Sequence, residues 1–284
     1  MDIDSRIIEA LKKGKSYRQI AKELKTSYRR IGRLYHHRKN TVRYVAFGDC
    51  HIPYEDKKIM KIIYDFIQRE KPDGVILMGD FSDFYQLSRF AKDPNRRHTL
   101  QDDLDKAVDY LEELRKIMGK RIIYYIMGNH EQRLERNLKE KSPEYFGLRC
   151  LSLKNLLELN RLNVILVPDR LELGDLTLIH GELVRKNAGY TARAHFDKYG
   201  TTMMLGHSHR DGKFTRRTLD GNKAVWENYC TCSLEPEYDS FPDWTHGFAV
   251  INFVEDTPFV EQVPIIGGRY FYGGKCYDHY GAHK

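Results

Sequence analysis

The chain has 284 residues, of which 41% are hydrophobic, so it is long enough for one large globular domain and a small second one. No apolar run reaches the length of a membrane span and no secretory signal opens the chain, so we expect a cytoplasmic protein without a membrane partner. The five cysteines are an odd number, which favours reduced thiols over a disulfide framework.

The net charge of +7 is concentrated at the amino end. Residues 1–40 contain twelve Lys or Arg and four Asp or Glu, which gives this segment +8 and leaves −1 for the rest of the chain. Such an excess of positive charge in one short segment favours an anionic polymer as a partner.

Residues 1–40 predict short helices separated by turns. Ser16 and Gln19 form a capping box at the start of one helix, and Ser27 is placed to cap the next. Two helices joined by a tight turn, the second rich in Arg, resemble a helix-turn-helix DNA-binding module, and residues 16–24 carry the resemblance. The side chains that it implies in DNA contact are Tyr28, Arg29, Arg30 and Arg33. The alternative is a solvated basic hairpin that packs on the second domain.

We expect a domain boundary after residue 40, with the helical module in 1–40 and the large domain in 41–284. The segment Asn40-Thr41-Val42 is the only linker, and it contains no Gly, Ser or Pro. A short linker without flexible residues predicts that the module docks on the large domain.

The large domain begins with alternating strands and helices and ends with strands. The predicted strands are 43–47, 75–78, 122–127, 164–167, 171–173, 176–179, 203–205, 213–219, 223–229 and 248–253. The predicted helices are 57–69, 99–118, 132–141, 151–159 and 189–199. The tail from Gly267 to Lys284 has no clear period. This order predicts an α/β fold in which a two-sheet β sandwich is flanked by helices.

Five short motifs combine a glycine with Asp, Asn or His side chains, at residues 48–51, 79–83, 128–131, 180–181 and 206–209. Each follows an apolar, strand-like run, which places the motifs at the carboxyl ends of strands, where open α/β sheets build their sites. Oxygen and imidazole donors in this number suit two adjacent divalent metal ions. The pattern therefore predicts a dinuclear metal centre.

In this order, the five motifs resemble those of the calcineurin-like metallophosphoesterase superfamily, over residues 43 to 255. The resemblance implies one metal ion bound by Asp49, His51, Asp80 and His209, and another bound by Asp80, Asn129, His180 and His207. Asp80 bridges the two because a carboxylate offers two anionic oxygens, and a water between the ions becomes the hydroxide that attacks phosphorus. Ligands without thiolate favour Mn²⁺, with Fe, Zn²⁺, Co²⁺ or Mg²⁺ as alternatives.

The resemblance also implies two catalytic residues that bind no metal. His130 protonates the leaving oxygen, and Asp83 orients and charges the imidazole. The alternative for Asp83 is a loop cap after its strand.

Two features favour the branch of the superfamily that contains nucleases and nucleotide phosphodiesterases. Phe84 stands where protein Ser/Thr phosphatases have an arginine, and those phosphatases lack the motif at 206–209. The basic loop 89–98, which includes Arg96 and Arg97, suits a phosphate backbone, although simple surface charge is an equal alternative.

The leading hypothesis is a phosphodiesterase or nuclease that acts on DNA. One alternative is a phosphatase or cyclic-nucleotide phosphodiesterase acting on small or protein-borne phosphates. Another is a DNA-binding regulator with an inactive metallo-domain. The sequence leaves the oligomeric state open, with a homodimer as one option.

Overall fold

The computed structural model describes residues 2–38, 41–236, 241–278 and 281–283. Within these residues the α-helices are α1 (Ile3–Lys12), α2 (Tyr17–Leu24), α3 (Tyr28–Arg38), α4 (Lys57–Glu70), α5 (Leu100–Met118), α6 (Gln132–Lys141), α7 (Leu153–Leu156) and α8 (Tyr190–Tyr199). Local chemistry places several helix ends where the sequence predicted them. Ser16 and Gln19 form the capping box of α2, Thr99 and Asp102 that of α5, and Gly119 ends α5 at a φ of 58°.

A six-stranded sheet forms the first layer of the sandwich. Its strands are β1 (Thr41–Phe47), β2 (Gly74–Leu77), β3 (Ile122–Ile126), β4 (Ile165–Val167), β10 (Gly247–Val254) and β11 (Thr257–Pro264), in the order β11-β10-β1-β2-β3-β4. Strands β1 to β4 are parallel, and β10 and β11 add an antiparallel edge. The parallel strands bring the segments that follow them to one edge of the sheet.

A five-stranded sheet forms the second layer. Its strands are β5 (Arg170–Leu173), β6 (Leu176–Ile179), β7 (Met203–Leu205), β8 (Gly212–Thr218) and β9 (Gly221–Glu227), in the order β5-β6-β7-β9-β8. A further small antiparallel sheet contains β12 (Arg269–Tyr272), β13 (Lys275–Asp278) and β14 (Gly281–His283). The mixed α/β fold with two main sheets and flanking helices is the predicted one.

The alternation of side chains along β1 separates two hydrophobic cores. Tyr44 and Ala46 belong to the cluster between the two sheets, which also contains Leu178 of the second sheet. Val45 and Phe47 belong to the cluster that α4 and α5 cover from outside. Period-two burial on both faces is expected of a central strand covered on each side.

The amino-terminal helices are packed on the sandwich. Ile7, Ile20 and Ile31 are fully buried and share the hydrophobic cluster between the sheets with Tyr44 and Tyr124. The Arg18 guanidinium donates a 2.7 Å hydrogen bond to the carbonyl of Asn160. The helices therefore dock as the short linker predicted, and they contact the end of the sheet at which the parallel strands begin.

Two stretches of the large domain's predicted elements differ from the structure. The helix expected at 151–159 is reduced to Leu153–Leu156, and Glu158, just beyond it, has a φ of 48° that is not helical. Thr41 and Val42 do not form a linker: they begin β1 and pair with β10, whereas Asn40 lies outside the described residues.

The part of the chain that follows β10 contains strands that the sequence did not predict. Strand β11 is an edge strand with exposed positions, so its apolar pattern is weak. Strands β12 and β13 are joined by a turn at Gly273 and Gly274, and Tyr270 and Tyr272 of β12 pack against Phe66 of α4. Among the described helices, none combines the length and apolar character needed to cross a bilayer.

Candidate dinuclear metal centre

The seven predicted metal ligands all lie just beyond strands, at one edge of the sandwich. Asp49 and His51 follow β1, Asp80 follows β2, and Asn129 follows β3. In the second sheet, His180 follows β6, and His207 and His209 follow β7. The two layers thus present their loops to the same region.

The backbone of these loops is strained in a way that aims the side chains inward. Five of the ligand residues have left-handed backbone: Asp49, His51, Asp80, His207 and His209, at φ between 47° and 66°. This region is unfavourable for residues with a Cβ, and such strain concentrates at functional sites. The neighbouring glycines allow close approach, since a Cβ on Gly128 would lie 2.0 Å from Asp80 Oδ1 and one on Gly206 would lie 2.7 Å from Asp49 Oδ2.

One cluster of possible ligands contains Asp49, His51 and His209. Their ligand atoms lie within 4.8 Å of one another, and all three side chains are buried. His209 Nε2 lies 3.2 Å from Asp49 Oδ1, and the Nε2 atoms of His51 and His209 are 3.1 Å apart. Two imidazole nitrogens and a carboxylate that converge in this way form a donor set that suits a divalent cation.

A second cluster contains Asp80, His180 and His207, again within 4.8 Å. Asn129 joins it, because its Oδ1 lies 2.9 Å from His180 Nε2. Asp80 Oδ2 lies 3.2 Å from His180 Nε2 and 3.8 Å from His51 Nε2 of the first cluster. The carboxylate of Asp80 is therefore within reach of both clusters.

Electrostatics at the two clusters favour positive charge. Burial lowers the pKa of His180, but the carboxylate of Asp80 outweighs burial and raises this pKa to about 10. Burial likewise opposes protonation of His209, and Asp49 raises its pKa to about 10. Burial and the neighbouring His180 lower the pKa of His207 to about 4. Because metal cations bind the neutral imidazole, a divalent ion held by these residues would displace the protons that Asp80 and Asp49 favour on His180 and His209.

The predicted catalytic pair lies beside the first cluster. Asp83 Oδ2 is 3.1 Å from His130 Nδ1 and 3.0 Å from His51 Nδ1. Burial raises the pKa of Asp83, but the hydrogen bonds to His130 and His51 outweigh it and lower this pKa. The carboxylate of Asp83 therefore orients one predicted ligand and the predicted general acid together.

Arg133 contacts the same pair. Its Nη2 lies 2.8 Å from His130 Nε2, and its Nη1 donates a 2.9 Å hydrogen bond to the carbonyl of Asp83. A guanidinium has only donors, so Nε2 accepts in this geometry and the ring proton is on Nδ1, toward Asp83.

Glu131 is a site residue for which the sequence gave no role. It is fully buried, and its carboxylate accepts hydrogen bonds from the backbone N–H groups of Asp80, Ser82 and Gly128 and from the Tyr125 hydroxyl, at 2.7–3.0 Å. Burial and the nearby Asp80 raise the pKa of Glu131, whereas these donors favour the carboxylate. Glu131 thus fixes the loops after β2 and β3 relative to each other. The sequence signal for Glu131 was its position as the last residue of the motif at 128–131.

Two further residues lie behind His209. The Cys232 thiol is 3.9 Å from His209 Nδ1, and the Trp244 ring centroid is 4.3 Å from that of His209. All five cysteines are free thiols, and Cys50 is packed in the outer hydrophobic core.

Arg96 and Arg97 lie in the loop between β2 and α5. The Arg96 guanidinium stacks on two aromatic rings, 4.2 Å from the Tyr54 centroid and 3.8 Å from the Tyr85 centroid. Tyr54 belongs to the loop that carries His51, so Arg96 is tied to the site. Arg97 is exposed and makes no described contact with the clusters.

The predicted DNA-contacting residues of α3 lie away from the metal clusters. Arg30 Nε is 2.6 Å from Asp4 Oδ1, and Tyr28 packs against the cluster between the sheets. A Cβ on Gly32 would lie 3.8 Å from Leu173 Cδ2 and from Tyr124 Oη, so this face of α3 is turned to the sandwich. The side chains of Arg29 and Arg33 lie outside the described residues.

A cavity of about 700 Å³ opens beside the second cluster. Asn129, His180 and His207 contribute to its lining, as do Asp169 and Glu172. The size is that of a small-molecule site.

Comparison with known proteins matches most of the chain. The family model described as calcineurin-like phosphoesterase matches residues 42–239. The Gene 54 protein of Mycobacterium phage L5 is 26% identical over 255 residues, covering 83% of this chain and 98% of that protein. The Gene 54 protein of Mycobacterium phage D29 is 25% identical over 254 residues, with the same coverage. A solved structure of Vps29 complexed with Zn²⁺ from Entamoeba histolytica aligns with a TM-score of 0.44 at 12% identity, covering 84% of this chain and 99% of that chain.

The family model spans well over half of the chain and contains the loops that form both clusters. The chain therefore belongs to the calcineurin-like phosphoesterase family and is a metal-dependent phosphoesterase.

Proposed function

We propose that the enzyme is a phosphodiesterase that hydrolyses nucleic acid, with DNA as the leading substrate. Asp49, His51, Asp80 and His209 would hold one divalent ion, and Asp80, Asn129, His180 and His207 the other, with Mn²⁺ preferred. When bound, the ions supply Lewis acidity that activates water and offsets charge on the reacting phosphoryl group. The division of the ligand atoms into two clusters, with Asp80 within reach of both, supports this assignment.

His130 would deliver the proton to the leaving oxygen. Asp83 holds His130 through Nδ1, which leaves Nε2 as the nitrogen that faces substrate. A guanidinium cannot share a protonated Nε2, because both groups are donors. Arg133 therefore has to leave Nε2 when the proton is delivered, and a phosphate oxygen is the acceptor that would take its hydrogen bonds.

The observation that carries the nucleic-acid proposal is a basic and aromatic surface at the His130 side of the site. It consists of Tyr54, Tyr85, Lys92, Arg96 and Arg133, and it is called here the basic surface. Lys92 and Arg96 both lie over the Tyr85 ring, at 4.9 Å and 3.8 Å from its centroid. Cations that neutralise phosphates, together with aromatic rings that stack on bases, suit a polynucleotide.

A DNA-binding role for the amino-terminal helices is part of the same proposal. Their excess of positive charge and the order of α2 and α3 support it. Tyr35 donates a 3.2 Å hydrogen bond to Asp73, which precedes β2, whereas the metal clusters follow the strands. The seven residues of β1 span roughly 20 Å, so a duplex held by the helices has to extend that far to reach the site.

The cavity beside the second cluster favours a second candidate function, a phosphatase or cyclic-nucleotide phosphodiesterase. Its volume of about 700 Å³ would accept a small phosphate ester without any polymer. The family match and the convergence of all seven ligand side chains argue against the inactive regulator.

A substrate panel with Mn²⁺ tests the proposal. We expect bis-p-nitrophenyl phosphate and DNA to be hydrolysed in preference to p-nitrophenyl phosphate and phosphoserine peptides. Single-stranded DNA, duplex DNA and RNA of one sequence, compared in parallel, identify the polymer. A clear preference for the monoesters would contradict the proposal and support the phosphatase.

A further inference from the structure

The cavity beside the second cluster differs chemically from the basic surface. Its lining combines the apolar side chains of Met127, Ile179 and Met203 with the carboxylates of Asp169 and Glu172. Apolar side chains together with carboxylate acceptors suit a flat ring with amino donors, and nucleobases carry such groups.

The charge of the cavity does not suit a phosphate backbone. Its lining residues include three carboxylates, of Asp169, Glu172 and Glu182, and one guanidinium, of Arg170. Arg170 Nε lies 3.7 Å from Glu172 Oε1, and the Lys198 ammonium pairs with Glu182. Both cations are therefore engaged by carboxylates, and a polyanion that continued through the cavity would meet like charge.

The two regions adjoin different halves of the metal centre. The cavity wall includes Asn129, His180 and His207 of the second cluster. The basic surface contacts Asp83 and His130, next to the first cluster. A bound nucleic acid would therefore have phosphates on one side of the reacting diester and none on the other.

We propose that the cavity binds the uncharged nucleoside at the end of a nucleic-acid chain, so that the enzyme removes terminal nucleotides and does not cut internally. This inference rests on the proposed phosphodiesterase function. The chain lies over the basic surface, its last diester lies at the two clusters, and the terminal base lies against the apolar side chains that line the cavity.

The position of His130 decides which P–O bond breaks. His130 donates its proton on the side of the basic surface, where Arg133 also lies, so the leaving oxygen belongs to the shortened chain. Water forms the new P–O bond, so its oxygen remains on phosphorus. The leaving oxygen takes its proton from His130. The phosphoryl group remains on the released terminal unit as a nucleoside monophosphate, and the remaining chain gains a free hydroxyl group.

The experiment compares a linear single-stranded oligodeoxynucleotide with the same sequence ligated into a circle, in Mn²⁺. We expect the linear strand to give mononucleotides from the first turnover, and the circle to react at least about 100-fold more slowly. Cleavage of the circle within a few-fold of the linear rate would overturn the inference and leave the phosphodiesterase function intact. If neither strand is cut while bis-p-nitrophenyl phosphate is hydrolysed, DNA is not the substrate and the inference fails with it.

Binding without turnover gives a second readout. In EDTA, a fluorescently labelled linear strand should be displaced about tenfold better by unlabelled linear strand than by the circle. Equal displacement by the two would count against binding of a chain end.

Neutral variants of the cavity wall test the charge argument. Asp169→Asn combined with Glu172→Gln should raise cleavage of the circle relative to the linear strand by about tenfold, because the barrier to a passing backbone is lowered. Asp220→Asn, at an exposed turn between β8 and β9, is the matched control and should leave the ratio unchanged. A ratio unaffected by the double substitution would overturn the assignment of the cavity.

Discussion

The two edges of the main sheet treat their polar side chains in opposite ways. Where the parallel strands end, Asp49, His51 and Asp80 are buried and converge, in loops with strained backbone. Where the strands begin, Asp73 accepts hydrogen bonds from Tyr35 and from the backbone of Arg43, which satisfies its carboxylate locally. Buried like charges that converge are unstable without a compensating cation, so the first edge is built for ligand binding and the second for docking of helices.

The largest effect is expected from Asp80→Asn, which removes the charge shared by the two clusters. Loss of several kcal/mol of charge stabilisation corresponds to a fall of about 10³-fold in turnover of bis-p-nitrophenyl phosphate. Asp73→Asn makes the same chemical change at the other edge, and its turnover should stay within a few-fold of wild type. Similar losses in the two variants would remove the distinction between the edges.

His130→Gln should have the next largest effect, through loss of proton delivery. For a DNA linkage the loss should be about 10²–10⁴-fold, and it should shrink for p-nitrophenyl esters, whose leaving group needs no proton. Metal content, measured by mass spectrometry, should not change. Equal losses on good and poor leaving groups, or a loss of metal, would assign His130 a structural role.

Glu131→Gln should weaken the metal centre without removing a ligand. The amide presents its own N–H donors to the backbone donors of Asp80, Ser82 and Gly128, which costs about 1–3 kcal/mol of unfolding free energy. Loss of a residue that holds a metal ligand in position typically lowers metal affinity 10–100-fold. Thermal unfolding and Mn²⁺ titration measure the two effects, with the exposed Glu113→Gln as control. Unchanged metal affinity would limit Glu131 to a role in folding.

The smallest effect concerns the docked helices. Replacing Arg29 and Arg33 by Ala should leave bis-p-nitrophenyl phosphate turnover intact and flatten the salt dependence of duplex binding. Each lost phosphate contact reduces the slope of log K against log salt by about 0.9, so a fall of about two units is expected. Arg216→Ala with Arg217→Ala removes equal charge from β8 and should not change the slope. An unaltered slope in the α3 variant would leave the helices with a packing role alone.

The sequence predicted the metal-cluster edge well because its signals are local. A glycine, a ligand and a preceding apolar strand occur within a few residues, and the parallel sheet brings such segments together. The capping box of Ser16 and Gln19 placed the start of α2 for the same reason.

What the sequence did not predict depends on distant partners. Glu131 gains its role from donors in two separate loops, and Cys232 and Trp244 reach His209 from beyond β9. The packing of Gly32 against Leu173 and Tyr124 requires the docking geometry of the helices. Strand β11 is an edge strand whose exposed face includes Phe259, and this apolar residue at an exposed position conceals its alternation.

The most direct test of the central claim is the number of Mn²⁺ ions bound per chain, measured by mass spectrometry after equilibrium dialysis. The wild-type chain should bind two ions, while His209→Gln and His207→Gln, which alter different clusters, should each bind one. His195→Gln changes a buried histidine outside the clusters and should retain two. A wild-type chain that binds a single ion, or two ions in both ligand variants, would contradict a centre built from these two clusters.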